Sequence, residues 1–214
     1  MRTKPQDDDH VGFSGWRLLG LGFWQAWWMI SMCTDVLLPT TDRFPFAGNT
    51  TLWVLVLTTV GYLVVVALAR RLSPFLTHRA SFLAAGGLTA AGTVTLPIAL
   101  TLGSGAAGFA WFLAGTVSLS LGNALLLIMW GELWSALATG RVGRHLYVSY
   151  TFAFVLFFVA YALPEAAAVA FTAALPIVSA AVLVACKREP RREPSVLPAS
   201  SPALLSSTSP LSMT

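Results

Sequence analysis

Long apolar runs separated by short polar or basic breaks fill most of the chain. Each run has about the 20 residues that a helix needs to cross a bilayer, and none shows the every-second-residue alternation of a barrel strand. The pattern predicts an all-α membrane protein with six transmembrane helices. They cover about residues 18–38, 51–68, 81–102, a stretch within 106–144, 146–163 and 166–186.

Composition supports this class and divides the chain into three parts. The 214 residues are 56% hydrophobic and only 10% charged, whereas soluble domains are about a quarter charged. We predict a polar cytoplasmic tail over residues 1–15, a membrane domain over 16–188 and a disordered Pro/Ser-rich tail over 189–214. The polar start and the lack of a small-residue cleavage site predict no cleavable signal peptide.

The basic residues predict the orientation. If the N-terminus is cytoplasmic, all 13 lysines and arginines except Arg43 fall on the cytoplasmic side. An odd number of spans would move an arginine cluster to the other side. We therefore predict six spans with both termini inside, in a bacterial inner membrane. The net charge of +4 then marks a membrane side rather than nucleic-acid binding.

A faint repeat relates the third and sixth predicted helices. Thr89-Ala90-Ala91 with Leu96-Pro97-Ile98 resembles the run from Thr172 to Ile177, which reads TAALPI. Each helix closes a three-helix group, and the two groups would cross the membrane in opposite directions. The pattern is typical of a 3+3 inverted repeat, as in half of a major-facilitator bundle.

Glu132 is the first candidate for a functional side chain. It is the only acid between Asp42 and Glu165 and closes the fourth apolar run. An ionisable group at such a depth needs a partner or water. One interpretation is a partly hydrated carboxylate paired with Arg141, Arg144 or Arg70. Arg144 is the first choice, because it follows a short turn with Gly140 and Gly143 that would bring it back toward Glu132, and Arg70 is the second. The alternative is a ligand-binding or coupling role.

The first predicted helix supplies the second group of candidates. At 3.6 residues per turn, Trp24, Trp28, Ser31 and Asp35 share one face. This face predicts one wall of a pocket for a flat apolar ligand, with Gln25 between the tryptophans and Asp35 at its outer end. Asn123, in the polar middle of the fourth helix, is a separate candidate for a ligand-binding or coupling role. The alternative is ordinary packing against neighbouring helices.

Enzyme chemistry has no support in the sequence. HExxH, GxSxG and P-loop patterns are absent, and Cys33 and Cys186 lie in no metal-binding or redox motif. We expect no catalytic residue, no metal and no cofactor. The expected partners are the lipid bilayer and a small-molecule ligand.

Two stretches carry a resemblance to a known family: the run from Gly20 to Trp28 and the run from Leu127 to Leu137. They resemble the multi-span membrane region of bacterial LuxR-type transcription regulators, a major-facilitator-like bundle. The resemblance implies a membrane-embedded sensory or input module. No helix-turn-helix follows the sixth helix, so direct nucleic-acid binding is not expected.

Two other functions stay open. The basic segment from Ala69 to Arg79 lies where major-facilitator carriers place a basic loop, although it lacks their Gly and Asp. This favours a small transporter or half-transporter, which would act as a homodimer or with a second half-bundle. A structural or assembly protein of the membrane is the third interpretation.

Overall fold

Apolar sequence without strand alternation folds here into helices. The computed structural model describes residues 19–34, 36–37, 50–72, 74–103, 105–135 and 139–187, without the side chains of residues 50, 51, 70, 72, 139–141, 144 and 187. This described part contains one 3-10 turn, Phe75–Thr77, and no strand. Its α-helices are α1 Gly20–Cys33, α2 Thr50–Leu72, α3 Arg79–Thr101, α4 Ala106–Ser135, α5 Thr139–Ala162 and α6 Glu165–Lys187.

Five of these helices, α2 to α6, are long and apolar enough to cross a membrane. The all-helical class is therefore confirmed for the described residues, and the five long apolar helices are compatible with a multi-pass membrane protein. Helix α1 has 14 residues, about 21 Å at 1.5 Å per residue, against the roughly 30 Å of a bilayer core. The predicted tails, residues 1–15 and 189–214, lie outside the described residues, as does Asp35.

Two predicted helix boundaries are wrong. The first helix was expected to reach Leu38, but α1 ends at Cys33 and Thr34 is extended, with φ −130° and ψ 159°. The Thr34 hydroxyl donates to the Ile30 carbonyl at 2.6 Å and accepts the Val36 N–H at 3.4 Å, a turn bond that favours a non-helical backbone after Thr34. The fifth helix was expected to begin at Leu146, but α5 begins seven residues earlier, at Thr139.

The early start of α5 corrects the expected turn around Arg144. Gly140 and Gly143 indicated a turn that would bring Arg144 back toward Glu132, whereas both glycines are helical. A glycine costs a helix only about 1 kcal/mol, so flanking helix-forming residues override it. Helix α5 therefore extends beyond its apolar segment.

The helices form an open arrangement in which only some neighbours touch extensively. Helix α3 packs on α4 and α6, α1 packs on α5 and α6, and α2 packs on α4. The order across the bundle is thus α2, α4, α3, α6, α1, α5, and α2 and α5 are its outer members. Only 22% of the α2 span and 17% of the α5 span are buried, against 44–56% for the other three spans.

Two buried apolar clusters mark opposite ends of the bundle. One combines the early parts of α1 and α3 with the late parts of α2, α4 and α6, and includes Leu21, Val65, Phe82, Met129 and Leu183. The other combines the complementary halves and includes Ile30, Val54, Leu96, Phe112 and Leu175. Successive helices therefore run antiparallel.

The basic residues of the described helices gather at the first of these ends, which we call the arginine end. They occupy the end of α2, the start of α3, the start of α5 and the end of α6: Arg70, Arg71, Arg79, Arg141, Arg144 and Lys187. Glu165, at the start of α6, lies at the opposite end. The charge asymmetry seen in the sequence is thus an asymmetry of the folded bundle.

Candidate functional site

A chain of polar groups joins three helices in the middle of the bundle. The Trp24 indole N–H of α1 donates to Asn123 Oδ1 of α4 at 2.8 Å. The Asn123 amide in turn donates to the Tyr62 hydroxyl of α2 at 3.1 Å. Both bonds are only part-buried. The structure thus brings together two predicted site residues, Trp24 and Asn123, and adds Tyr62, which the sequence analysis missed.

The direction of each α1 side chain follows from its contacts. Trp24 faces α4, through Asn123. A Cβ on Gly22 would meet the Ser149 carbonyl oxygen of α5 at 2.7 Å, so this face of α1 points to α5. Viewed along the axis of α1, Gln25 lies between these two directions. It is rotated by about 100° from Trp24 and by about 60° from Gly22.

Gln25 is buried without a matching partner. It is 4% exposed, and its Oε1 has no hydrogen-bond donor among the residues that the structure describes. A buried acceptor left unsatisfied costs roughly 1–3 kcal/mol. Trp28 lies between the same two directions, about 40° from Trp24, and is half-buried. Both predicted residues therefore lie beside the polar chain.

Two other tryptophan bonds are fully buried and differ from this site. Trp27 donates to Thr93 Oγ1 at 2.9 Å, joining α1 to α3. Trp130 donates to Ser179 Oγ at 3.0 Å, joining α4 to α6. Such bonds hold helices together inside a membrane. Their hydroxyl partners are Thr and Ser in small-residue helices, and the sequence offered no signal that distinguished them.

Glu132 binds the segment between α2 and α3. Its Oε1 accepts the Phe75 N–H at 3.0 Å and its Oε2 accepts the Leu76 N–H at 3.1 Å. The Phe75 side chain is 2% exposed and belongs to the cluster at the arginine end. One carboxylate therefore fixes the backbone of the 3-10 turn while the Phe75 ring fixes its side chain.

Four other predicted side chains lie outside the part of the chain that the structure describes. They are Arg141, Arg144 and Arg70, the expected ion-pair partners of Glu132, and Asp35. Glu132 itself lies nine residues after Asn123 in the same helix, about 13 Å away at 1.5 Å per residue. Glu132 and Asn123 are thus two separate sites along α4.

The cysteines lie at opposite ends of the bundle and are both free. Cys33 is the last residue of α1 and is exposed, whereas Cys186 is buried in the cluster at the arginine end. Within the described segments no group of three or more His, Cys, Asp or Glu side chains is arranged to hold a metal ion.

Comparison with known proteins assigns no family to the chain. No protein-family model matches it, and neither a curated protein nor a solved structure shows significant similarity to it.

Proposed function

We propose that this protein is a six-span membrane protein with both termini in the cytoplasm that serves as a membrane-embedded sensory or input module. Its ligand site is the polar chain of Trp24, Asn123 and Tyr62, together with Gln25 and Trp28. Helix α1 supplies the sixth span. The cytoplasmic side is the arginine end, because basic residues mark that side of a membrane protein.

One observation carries the proposal: the polar chain is only part-buried, whereas the two tryptophan bonds that hold α1 to α3 and α4 to α6 are buried. Polar groups at membrane depth belong in protein or beside a water-filled cavity rather than in lipid. Trp24 and Tyr62, at the two ends of the polar chain, are half-buried, whereas Asn123 between them is 0% exposed. A polar site whose end members are half-buried offers hydrogen-bonding groups to a small molecule.

Cysteine accessibility tests the site. In a variant without native cysteines, Tyr62→Cys should react with a water-soluble methanethiosulfonate reagent, because a thiolate forms only where water reaches it. Two matched positions should resist the reagent: the adjacent Leu63→Cys, which is 66% exposed to lipid, and the buried Thr93→Cys. An unreactive Tyr62→Cys, or an equally reactive Leu63→Cys, would remove the basis for an aqueous site.

A half-transporter is the second candidate, and the symmetry of the helix contacts favours it. Exchanging α1 with α4, α2 with α5 and α3 with α6 converts each main contact into another: α1–α5 into α4–α2, α1–α6 into α4–α3, and α3–α6 into itself. The same exchange relates the Trp27–Thr93 bond to the Trp130–Ser179 bond. These relations support the 3+3 inverted repeat expected of a carrier half.

Oligomeric state separates the two candidates. A half-transporter needs a second bundle over α2 and α5, so Phe158→Cys, which is 64% exposed on α5, should cross-link between copies in lipid discs. The sensory module should stay monomeric there and give no cross-link. The mass of the protein in discs provides an independent measurement of the same property.

A further inference from the structure

The candidate site has a composition that restricts the charge of its ligand. Its described side chains are indole, carboxamide and phenol groups, none with a formal charge at neutral pH. Glu132, the nearest charged residue in α4, is about 13 Å from Asn123 along the helix and binds the Phe75 and Leu76 amides. An ion in this site would lose its water without gaining a counter-ion, which is very costly.

The site also offers one free acceptor and one free donor. Gln25 Oε1 is buried and finds no donor in the described part of the chain. The Tyr62 hydroxyl oxygen already accepts the Asn123 amide, so the hydroxyl can still donate its own hydrogen. Asn123 and Trp24 are engaged with each other and hold Tyr62 in place.

We infer that the ligand is a neutral amphiphile with an amide-type head group, whose N–H donates to Gln25 Oε1 and whose carbonyl accepts the Tyr62 hydroxyl. This inference rests on the proposed ligand site and specifies its chemical class. A carboxamide supplies a donor and an acceptor on one small uncharged group. The apolar tail of the ligand lies against the Trp28 ring and the exposed apolar faces of α2 and α5.

The probe for the test is tritiated decanamide, bound to the protein in lipid discs, with empty discs subtracted. Decyl sulfate and decyltrimethylammonium serve as competitors with the same tail and a negative or positive head group. Wild-type protein should bind decanamide saturably, and unlabelled decanamide should displace it at concentrations at least about tenfold lower than either ion does. Displacement by an ion at equal concentration, or the absence of saturable binding, would contradict the inference.

Gln25→Met provides the decisive variant, because methionine keeps the length of the side chain and removes the amide. Decanamide binding should weaken at least about tenfold, since the ligand N–H loses its acceptor. The thermal midpoint of the ligand-free protein should stay the same or rise, because an unsatisfied buried acceptor has been removed. A purely structural Gln25 would show the reverse: a lower midpoint and unchanged binding.

Thr172→Val is the matched control. Thr172 is also a fully buried polar residue, 0% exposed, and its hydroxyl donates to the Ala168 carbonyl of its own helix at 2.7 Å. Helix α6, to which it belongs, contributes no side chain to the candidate site. The substitution should leave decanamide binding unchanged.

Failure of this inference is distinguishable from failure of the proposed function. If Tyr62→Cys reacts with the water-soluble reagent while Gln25→Met binds decanamide like the wild type, the site stands and the amide-type ligand is wrong. If Tyr62→Cys does not react, the proposed site itself is wrong.

Discussion

At the scale of single residues, Glu132 shows how one carboxylate can bind the backbone of another segment. Its two oxygens accept consecutive backbone N–H groups from Phe75 and Leu76. Charge-assisted bonds of this kind are about twice as strong as neutral ones. A backbone partner in another segment leaves no trace in the sequence pattern, so these two bonds were not predicted.

This geometry predicts the effect of removing the carboxylate. Glu132→Ala should lower the free energy of unfolding by about 1–3 kcal/mol, because two N–H groups lose their acceptors. Glu132→Gln should lower the free energy of unfolding by less than Glu132→Ala does, since one oxygen remains to accept a backbone N–H. The new NH2 group then faces the other backbone donor, so some stability is still lost. Denaturation by SDS in mixed micelles measures both changes.

Hydrogen exchange localises the same effect. The Phe75 and Leu76 amides should exchange faster in Glu132→Ala than in the wild type. Glu165→Gln is the matched control, because Glu165 is an exposed acid at the opposite end of the bundle and its replacement should leave these amides unchanged. Unchanged exchange in Glu132→Ala would contradict the assigned bonds.

A second residue-scale prediction concerns the buried bond between Trp27 and Thr93. Thr93→Val keeps the shape and removes the acceptor of the indole N–H, so we expect a loss of about 0.6–2 kcal/mol, the range of such bonds in membrane bundles. Thr95→Val in the same helix is the control, because the Thr95 hydroxyl bonds only to the Ala91 carbonyl of its own helix. A double-mutant cycle with Trp27→Phe isolates the pair, and a coupling energy near zero would show that the bond contributes nothing.

At the scale of elements, glycines set how closely α3 and α4 approach. A Cβ on Gly92 would lie 2.6 Å from the Gly115 carbonyl oxygen and from the Leu119 nitrogen, and backbone atoms cannot move aside. Small residues allow such close crossings in membranes, where van der Waals packing drives helix association. The Ala- and Gly-rich sequence of α3 does not by itself show which of its glycines lies at the crossing with α4.

Two glycines of α3 should therefore respond in opposite directions to the same substitution. Gly92→Ala should destabilise the protein by about 1–3 kcal/mol through overpacking. Gly87→Ala, with nothing within 4 Å of the added Cβ, should stabilise it by about 0.5–1 kcal/mol through helix propensity. Thermal unfolding in lipid discs compares the two, and equal shifts would show that α3 and α4 do not cross at Gly92.

At the scale of the whole molecule, the antiparallel helices place Arg79 and Glu165 at opposite ends of the bundle. Both residues are exposed and begin their helices. In a variant without native cysteines, Glu165→Cys should react with a membrane-impermeant maleimide in intact cells. Arg79→Cys should react only after permeabilisation, because basic residues mark the cytoplasmic side.

The labelling experiment has three outcomes that would contradict the proposed topology. Labelling of both positions from outside would show that the helices between them do not carry the chain across the membrane an odd number of times. Labelling of Arg79→Cys alone would place the arginine end outside the cell. If neither position is labelled before permeabilisation, the end of the bundle that carries Glu165 is not accessible from outside.

The sequence alone determined the properties that depend on local composition. Apolar runs of about 20 residues without alternation predict membrane-crossing helices, and α2 to α6 are long and apolar enough to be five of them. The basic segments between the apolar runs predicted the charge asymmetry that the bundle shows at its arginine end. Helix ends were harder to predict, because a glycine such as Gly140 or Gly143 changes the free energy of a helix by only about 1 kcal/mol.

Only the tertiary structure decided which polar residues meet. Trp24 and Asn123 are 99 positions apart, and nothing in the sequence near either one indicates the other. Tyr62 looked like one aromatic residue among many, and the backbone N–H groups that Glu132 binds lie 57 and 56 positions away in another segment. In a membrane, each polar group must find its partner inside the protein. The way the helices pack against one another determines which polar groups come within reach, and the sequence does not show that packing.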